Sequence, residues 1–224
     1  MNTPSTRRRP LLVLTALAAA CLGLGGCTNN AKVSGQWLDG AARKQQPYKA
    51  VLLVGVSPDL NARCAFEHFL ARHLQSDQTD AIASCDVVDR KVPLTRELIE
   101  AAVVDQQIDA VLATILVSKE WKTQEGGSRD TRGNAAYKAT DSGWATGYYG
   151  IYGVPVVYGE FQSNAASLDM TGEIEVKSRI FDVRSKTPVY EFVTRAEGLG
   201  SSDVALATIT TAMAEEVRDA GLTR

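Results

Sequence analysis

Two uninterrupted apolar runs constrain the fold of this chain more than any other feature of its sequence. They lie within residues 49–56 and 109–117, and neither shows the alternation of apolar and polar residues that marks a half-exposed strand. A strand of this kind is buried on both faces, which requires cover on each side of its sheet. Because helices supply that cover in α/β proteins, the two runs predict an α/β fold with central strands.

Helix-forming segments separate the two runs. Asp59 and Thr95 are each followed by apolar residues at helical spacing, and both residue types cap helix N-termini. A short apolar stretch at 81–87 lies between these two helices and is predicted to be a strand. The first part of the chain therefore predicts the order β-α-β-α-β.

The carboxyl-terminal part predicts antiparallel strands and a last helix. Residues 171–179 alternate, with Ile174 and Val176 on one face and charged side chains on the other. A turn at 185–188 leads to a further strand, and Ser201 begins a capping sequence for the last helix. The predicted fold is a single mixed sheet, β-α-β-α-β-(long loop)-β-β-α, with helices packed on the sheet.

The amino terminus has the pattern of an export signal. Three arginines precede an uncharged run at 11–24, which would rise about 21 Å as a helix, less than the ~30 Å hydrocarbon core. A signal peptide over residues 1–26 fits this length better than a permanent membrane anchor. Its removal takes away three arginines and no acidic residue, so the formal charge falls from −2 to −5. A net negative domain is not expected to bind nucleic acid, whose phosphates require a basic excess.

The segment Leu24-Gly25-Gly26-Cys27 resembles the lipobox of bacterial lipoproteins. The resemblance implies that Cys27 is acylated and that the chain is cut on its amino side. Thr28 stands in place of the aspartate that retains such proteins in the inner membrane, which implies an outer-membrane anchor and a domain facing the periplasm. Two alternatives remain open: an ordinary secretory signal with an incidental Cys27, and acylation at Cys21, which lacks a leucine three residues before it.

The acyl chains supply the membrane affinity, at ~0.8 kcal/mol for each buried methylene, so no membrane-binding helix is needed. Residues 27–48 are polar and show no hydrophobic period, and they are predicted to be the lipidated cysteine and a flexible tether. The periplasmic α/β domain is then expected over residues 49–224. The covalent lipid on Cys27 is the only attached group that the sequence predicts, with no other cofactor and no metal.

Two cysteines, Cys64 and Cys85, remain after removal of Cys21 and acylation of Cys27. The periplasm is oxidising, and an even number of remaining thiols favours a disulfide there. In the predicted β-α-β unit, Cys64 lies in the first turn of the first helix and Cys85 at the end of the second strand, both at the carboxyl edge of the sheet. The alternative is two separately buried thiols. A metal site is not expected, because the spacing matches no zinc motif and further ligands are lacking.

A long connection, residues 122–168, separates the two halves of the predicted sheet. Connections of this length are usually functional or disordered. Its second half is rich in glycine and in aromatic residues, which give large contact areas at low cost in side-chain entropy. The alternative is a segment that folds back over the sheet or stays disordered. The sequence predicts a partner-binding surface there, formed by Trp144, Tyr148, Tyr149, Tyr152 and Tyr158.

A family resemblance is carried by the segments RCAFEHFLARHL, SCDVV, LTRELIEAAVVDQQIDAVLATILV and EIEVKSRIFDVRSKTPVYEF, which follow Val51 in this order. Over roughly residues 49–220 the chain resembles a set of small bacterial envelope lipoproteins. Their domain is similar to that of the curli-secretion lipoprotein and of the lipoprotein activator of a penicillin-binding protein. The resemblance implies an accessory or assembly role rather than catalysis.

Sequence motifs of catalysis do not occur. Neither G-x-S-x-G nor a phosphate-binding glycine motif is present, and His68 and His73 are five positions apart, about 140° around a helix. Glu173 and Glu175 share a strand face with two cations, so ion pairs are predicted there rather than an acid–base pair. The chain is expected to be a non-catalytic outer-membrane lipoprotein whose periplasmic accessory domain binds an envelope protein or glycan. The alternatives are an oligomeric structural or export component of the envelope, and an envelope hydrolase.

Replacement of the lipobox cysteine tests the predicted anchor. Cys27→Ser should abolish incorporation of labelled fatty acid and leave the precursor uncleaved, because the acylated thiol is absent. Cys21→Ser is the matched control and should be labelled and processed like the wild type. The measurement is fatty-acid labelling followed by electrophoresis, and labelling of Cys27→Ser would contradict the assignment.

Overall fold

The computed structural model describes residues 31–44, 47–57, 59–89, 94–123, 135–139, 159–163 and 170–224. The strands in these ranges are β1 (Ala31–Trp37), β2 (Ala50–Val56), β3 (Asp80–Ala83), β4 (Ala110–Thr123), β5 (Ala135–Ala139), β6 (Gly159–Ser163), β7 (Met170–Asp182) and β8 (Thr187–Leu199). The helices are α1 (Leu60–Leu74), α2 (Ser84–Val87), α3 (Arg96–Asp105) and α4 (Ser202–Asp219), with a short 3₁₀ turn at Ala42–Lys44.

The strands form one open mixed sheet in the order β1-β8-β7-β4-β2-β3. The parallel part consists of β2 between β3 and β4, and the antiparallel part adds β7, β8 and β1. Outside this path, β5 pairs with the distal part of β4 and with β6. The predicted α/β class and single mixed sheet are confirmed.

Helices cover both faces of the sheet. The core that contains α1 and α4 lies on the face that carries Leu53, and the core that contains α3 lies on the opposite face, which carries Leu52. Both leucines are completely buried. Consecutive residues of a strand point to opposite faces, so burial of this pair explains why the run at 49–56 shows no alternation.

The predicted helix caps are present. The carboxylate of Asp59 accepts hydrogen bonds from the backbone N–H groups of Asn61 and Ala62 at the start of α1. Thr95 caps α3 and Ser201 caps α4 through their side-chain oxygens. These side chains satisfy amides that have no partner within the helix, which stabilises the first turns of α1, α3 and α4.

The amino-terminal boundary of the domain differs from the prediction. Residues 31–37, expected to belong to the tether 27–48, form β1 and pair antiparallel with β8, with Trp37 opposite Tyr190. The prediction of a flexible tether is wrong for these residues. Gly35 stands at one of the alternate positions that face the core, so the apolar alternation of the strand is incomplete in the sequence.

Tyr190 occupies the space next to Gly35. Its ring packs edge-on against Trp37, with ring centres 5.1 Å apart, and its hydroxyl donates a hydrogen bond to Oε1 of Glu216 in α4. Burial, followed by the hydrogen bond to Glu216, raises the pKa of the Tyr190 phenol, so it remains a donor at neutral pH. A Cβ at Gly35 would overlap both the hydroxyl and the carboxylate. Because Gly35 has no side chain, Tyr190 of β8 has room next to β1 to bond to Glu216 of α4.

Two further segments differ from the predicted elements. The stretch 81–87, expected to be one strand, divides into β3 and α2, so Cys85 lies in a short helix. The insertion expected at 122–168 is not all loop, because β4 extends to Thr123 and both β5 and β6 lie within the insertion. The end of β4, β5 and β6 are stabilised by pairing with neighbouring strands. The local sequence does not reveal this pairing.

Substitution of Gly35 tests whether β1 is part of the folded domain. Gly35→Ala should lower the free energy of unfolding by about 1–3 kcal/mol, because the added methyl group forces Tyr190 or Glu216 to move. Gly40→Ala is the control, since a Cβ at Gly40 meets no atom within 4 Å. Denaturant unfolding measures both variants, and equal stabilities would contradict the packing of β1.

Candidate functional site

A disulfide joins two of the predicted site residues, Cys64 of α1 and Cys85 of α2, whose Cα atoms lie 5.7 Å apart. Both cysteines are buried. The bridge ties the first helix to the segment that follows β3. The remaining predicted site residues lie outside the described ranges: the lipidation site Cys27 and the partner-binding Trp144, Tyr148, Tyr149, Tyr152 and Tyr158.

A fully buried carboxylate, Glu67, lies between the disulfide and the end of β2. Its Oε1 accepts hydrogen bonds from the backbone N–H of Gly55 at 2.8 Å and from the Ser84 hydroxyl at 2.7 Å. Its Oε2 accepts a hydrogen bond from the backbone N–H of Cys85 at 2.8 Å. Glu67 therefore supplies acceptors to the first turn of α2, which accounts for a helix at 84–87 where the sequence favours a strand.

Burial governs the protonation of Glu67. It raises the pKa of the carboxyl, and this effect exceeds the lowering by the three hydrogen bonds and by the charge of Arg63. The carboxyl group consequently remains protonated over a wider pH range than an exposed glutamate.

A crevice of about 420 Å³ opens at the carboxyl end of β2, beside the middle of β4. Residues of β2, β4 and β7 and of the first turns of α1 and α4 line it. The chain leaves β2 for β3 through α1 on one face and reaches β4 through α3 on the other face. The crevice thus lies where the order of the parallel strands reverses, which is the usual ligand position in open α/β sheets.

Arg63 is the buried cation of this crevice. Its side chain is 3% exposed, and its Nε lies 3.6 Å from Oε1 of Glu67, too far for a hydrogen bond. No hydrogen bond from its guanidinium reaches any residue in the described part of the chain. Lys119 and Asp59 also line the crevice. The rest of the lining is mostly apolar and includes Val56, Phe66, Leu116, Ile174, Val176 and Leu206.

Two polar side chains that the sequence does not bring together lie beside the disulfide. His68 Nε2 is 2.9 Å from Oδ1 of Asp86 and 3.7 Å from Sγ of Cys85. The ligand atoms of Cys64, His68 and Cys85 lie within 4.8 Å of one another. The fold therefore brings His68 close to both cysteines, a proximity that the spacing along the chain does not indicate. In the disulfide, however, the sulfurs are bonded to each other and provide no thiolate for a metal.

The charged face of β7 carries ion pairs, but their partners lie on β8 and not, as the sequence predicted, on β7 itself. Glu175 lies 2.6 Å from Nε of Arg195, and Lys177 lies 3.3 Å from Glu191. Arg179 pairs with the same carboxylate of Glu191. All of these charges pair with opposite charges, so the face does not present two free carboxylates for acid–base chemistry.

Comparison with known proteins finds a likeness of fold alone. No protein-family model and no curated protein matches this chain. Two similar solved structures are PelC dodecamers from Paraburkholderia phytofirmans, one of a single-residue variant and one in space group P6. The first is 13% identical, with a TM-score of 0.46, and the match covers 87% of this chain and 99% of that chain. The second is 12% identical, with a TM-score of 0.44 and the same coverage of 87% and 99%.

Within the described residues, no helix combines the length and the apolar character needed to cross a bilayer.

Titration of Glu67 should make stability depend on pH. Because folding raises its pKa, the protonated carboxyl contributes stability below its ordinary value of 4.5, and this contribution is lost as the pH rises through the folded pKa. Glu67→Gln should remove that part of the pH dependence. The amide nitrogen cannot accept the Cys85 N–H, so we also expect a loss of about 1–3 kcal/mol at low pH.

Denaturant unfolding between about pH 4 and about pH 8 measures this effect. The control is Glu173→Gln, because Glu173 is exposed. Identical pH profiles for the wild type and Glu67→Gln would contradict the assignment.

Loss of the disulfide should destabilise the domain by about 3 kcal/mol, because the cross-link across 21 residues no longer restricts the unfolded chain. Cys64→Ser should also leave Cys85 reactive toward a thiol probe. Reduction of the wild type should reproduce the same loss of stability. Quantitative labelling of both cysteines in the oxidised protein would disprove the bridge.

Proposed function

We propose that this chain is a non-catalytic lipoprotein of the bacterial outer membrane, whose domain faces the periplasm and binds an envelope protein or glycan. One combination carries the proposal: a lipobox-like segment ending at Cys27 lies directly before a domain with a buried disulfide. Disulfides persist in exported proteins and are rare in reducing compartments. The resemblance of the segments after Val51 to small envelope lipoproteins supports the same assignment.

The position of β1 determines how far the domain can lie from the anchor. Only residues 28–30 separate Cys27 from Ala31, the first residue of β1. An extended chain spans at most ~3.6 Å per residue, so Ala31 would lie within roughly 14 Å of an acylated Cys27. The domain is therefore proposed to act at the membrane surface rather than at the end of a long tether.

Partner contact is assigned to the aromatic segment between β5 and β6. Ala139 at the end of β5 pairs with Gly159 at the start of β6, so the two ends of this segment are adjacent. The segment between them is rich in tyrosine, a residue type that contributes strongly to binding surfaces. The assigned residues are Trp144, Tyr148, Tyr149, Tyr152 and Tyr158.

Photo-crosslinking in intact envelopes tests the assignment. A photoreactive phenylalanine analogue replaces Tyr148 or Tyr152, and Val104 of α3, which is 74% exposed, is the control position. We expect adducts with another envelope component from Tyr148 and Tyr152 and none from Val104. An absence of adducts at both tyrosines, or equal yields at all three positions, would contradict the proposed contact surface.

The two alternatives have their own signatures. Adducts between copies of this chain, together with a multimeric mass in detergent, would favour an oligomeric structural or export component. Turnover of generic ester, phosphate-ester or peptidoglycan substrates would favour an envelope hydrolase.

A further inference from the structure

We propose that the crevice at the carboxyl end of β2 and the middle of β4 binds an amphiphilic anion, with an oxyanion head on Arg63 and a short hydrocarbon body along the apolar wall. The head is a carboxylate or a phosphate monoester. This proposal does not depend on the lipid anchor or on the aromatic segment, because described side chains of the folded domain form the crevice.

The first argument is the state of Arg63. Its side chain is 3% exposed and lines the crevice, yet its Nε has no hydrogen-bond partner. Buried polar groups are nearly always hydrogen-bonded, and a buried donor without an acceptor is costly. A guanidinium carries five N–H donors in a planar fork that matches the oxygens of a carboxylate or phosphate. An oxyanion in the crevice would supply the missing acceptors.

Glu67 does not supply these acceptors. Its Oε1 is 3.6 Å from Nε of Arg63, beyond hydrogen-bonding distance. That oxygen already accepts hydrogen bonds from Gly55 and Ser84. Burial also raises the pKa of Glu67, which weakens its ability to neutralise the guanidinium. Arg63 therefore retains its donors for a ligand.

The other charged groups of the crevice leave Arg63 as the position for a single anionic head. The carboxylate of Asp59 accepts the amides of Asn61 and Ala62, at 2.9 and 3.0 Å, so the first turn of α1 is already capped. The helix terminus is consequently not the anion site. Arg63 and Lys119 are the cations among the described residues that line the crevice.

The wall of the crevice favours a hydrocarbon body. The side chains of Phe66, Leu116 and Leu206 line it together with β7 residues, and a bare inorganic anion would leave this apolar surface in contact with water. A volume of about 420 Å³ lies in the range of small-molecule sites. Each buried methylene is expected to raise affinity about fourfold, so chain length should strengthen binding.

Four probes separate the contributions of head and body. Hexanoate and hexyl phosphate carry both parts, acetate carries the head alone, and hexanol carries the body alone. Titration calorimetry on the mature lipidated protein, in micelles of a nonionic detergent, measures each probe against a protein-free micelle blank. We expect hexanoate or hexyl phosphate to bind at least tenfold more tightly than acetate and hexanol. The tighter of the two identifies the head.

Variants then test the residues. Arg63→Met should weaken binding of the anionic probes at least tenfold, whereas Arg72→Met, at an exposed position of the same helix, should not change it. Arg63→Lys keeps the charge and loses the fork, so it should bind with intermediate affinity. Leu206→Ala should weaken hexanoate and leave acetate unchanged.

Several outcomes would overturn the proposal. They are binding of both hexanoate and hexyl phosphate no tighter than that of hexanol, no binding of any probe at millimolar concentration, and wild-type binding by a folded Arg63→Met. If Arg63→Met does not fold, unchanged hexanoate affinity in both Arg63→Lys and Leu206→Ala is decisive against it. None of these results bears on the photo-crosslinking experiment, so the two proposals fail separately.

Discussion

The burial of β2 and β4 on both faces determines where the other elements of the domain lie. Leu52 and Leu53 are completely buried on opposite faces, and burial of one such side chain stabilises a fold by about 1.5–3 kcal/mol. Both faces therefore need helices, and α1, α3 and α4 provide them. Because α1 and α3 cross on opposite faces, β3 and β4 lie on opposite sides of β2. The crevice at the carboxyl end of β2, beside the middle of β4, is a direct result.

The same burial determines the polar chemistry beside the crevice. A carboxylate as deep as Glu67 is tolerated only with several donors, and the end of β2, the Ser84 hydroxyl and the Cys85 amide provide them. These bonds join β2, α1 and α2 around the disulfide. Arg63 has no comparable set of acceptors within the described part of the chain. A buried Nε donor without an acceptor on the wall of a crevice distinguishes this site from an ordinary packing defect.

Local pattern was sufficient for most of the fold and insufficient at specific places. The apolar runs predicted the central strands, and Asp59, Thr95 and Ser201 predicted the starts of three helices. The pattern failed at β1, where Gly35 removes the side chain that would complete the alternation. It failed again at α2, because Glu67, 17 and 18 positions earlier, supplies the acceptors for its first turn. A tertiary contact of that kind leaves no periodic trace in the short segment it stabilises.

The sequence by itself determined the α/β class and the mixed sheet and favoured a disulfide between Cys64 and Cys85, because hydrophobic period, cap residues and thiol count are local or compositional properties. Tertiary structure alone decided that β1 joins the sheet through β8, that His68 and Asp86 lie beside the disulfide, and that Arg63 is buried without a hydrogen bond. These outcomes depend on distances between side chains from different elements. Such distances follow from the packing of helices on the sheet, which residue spacing along the chain does not specify.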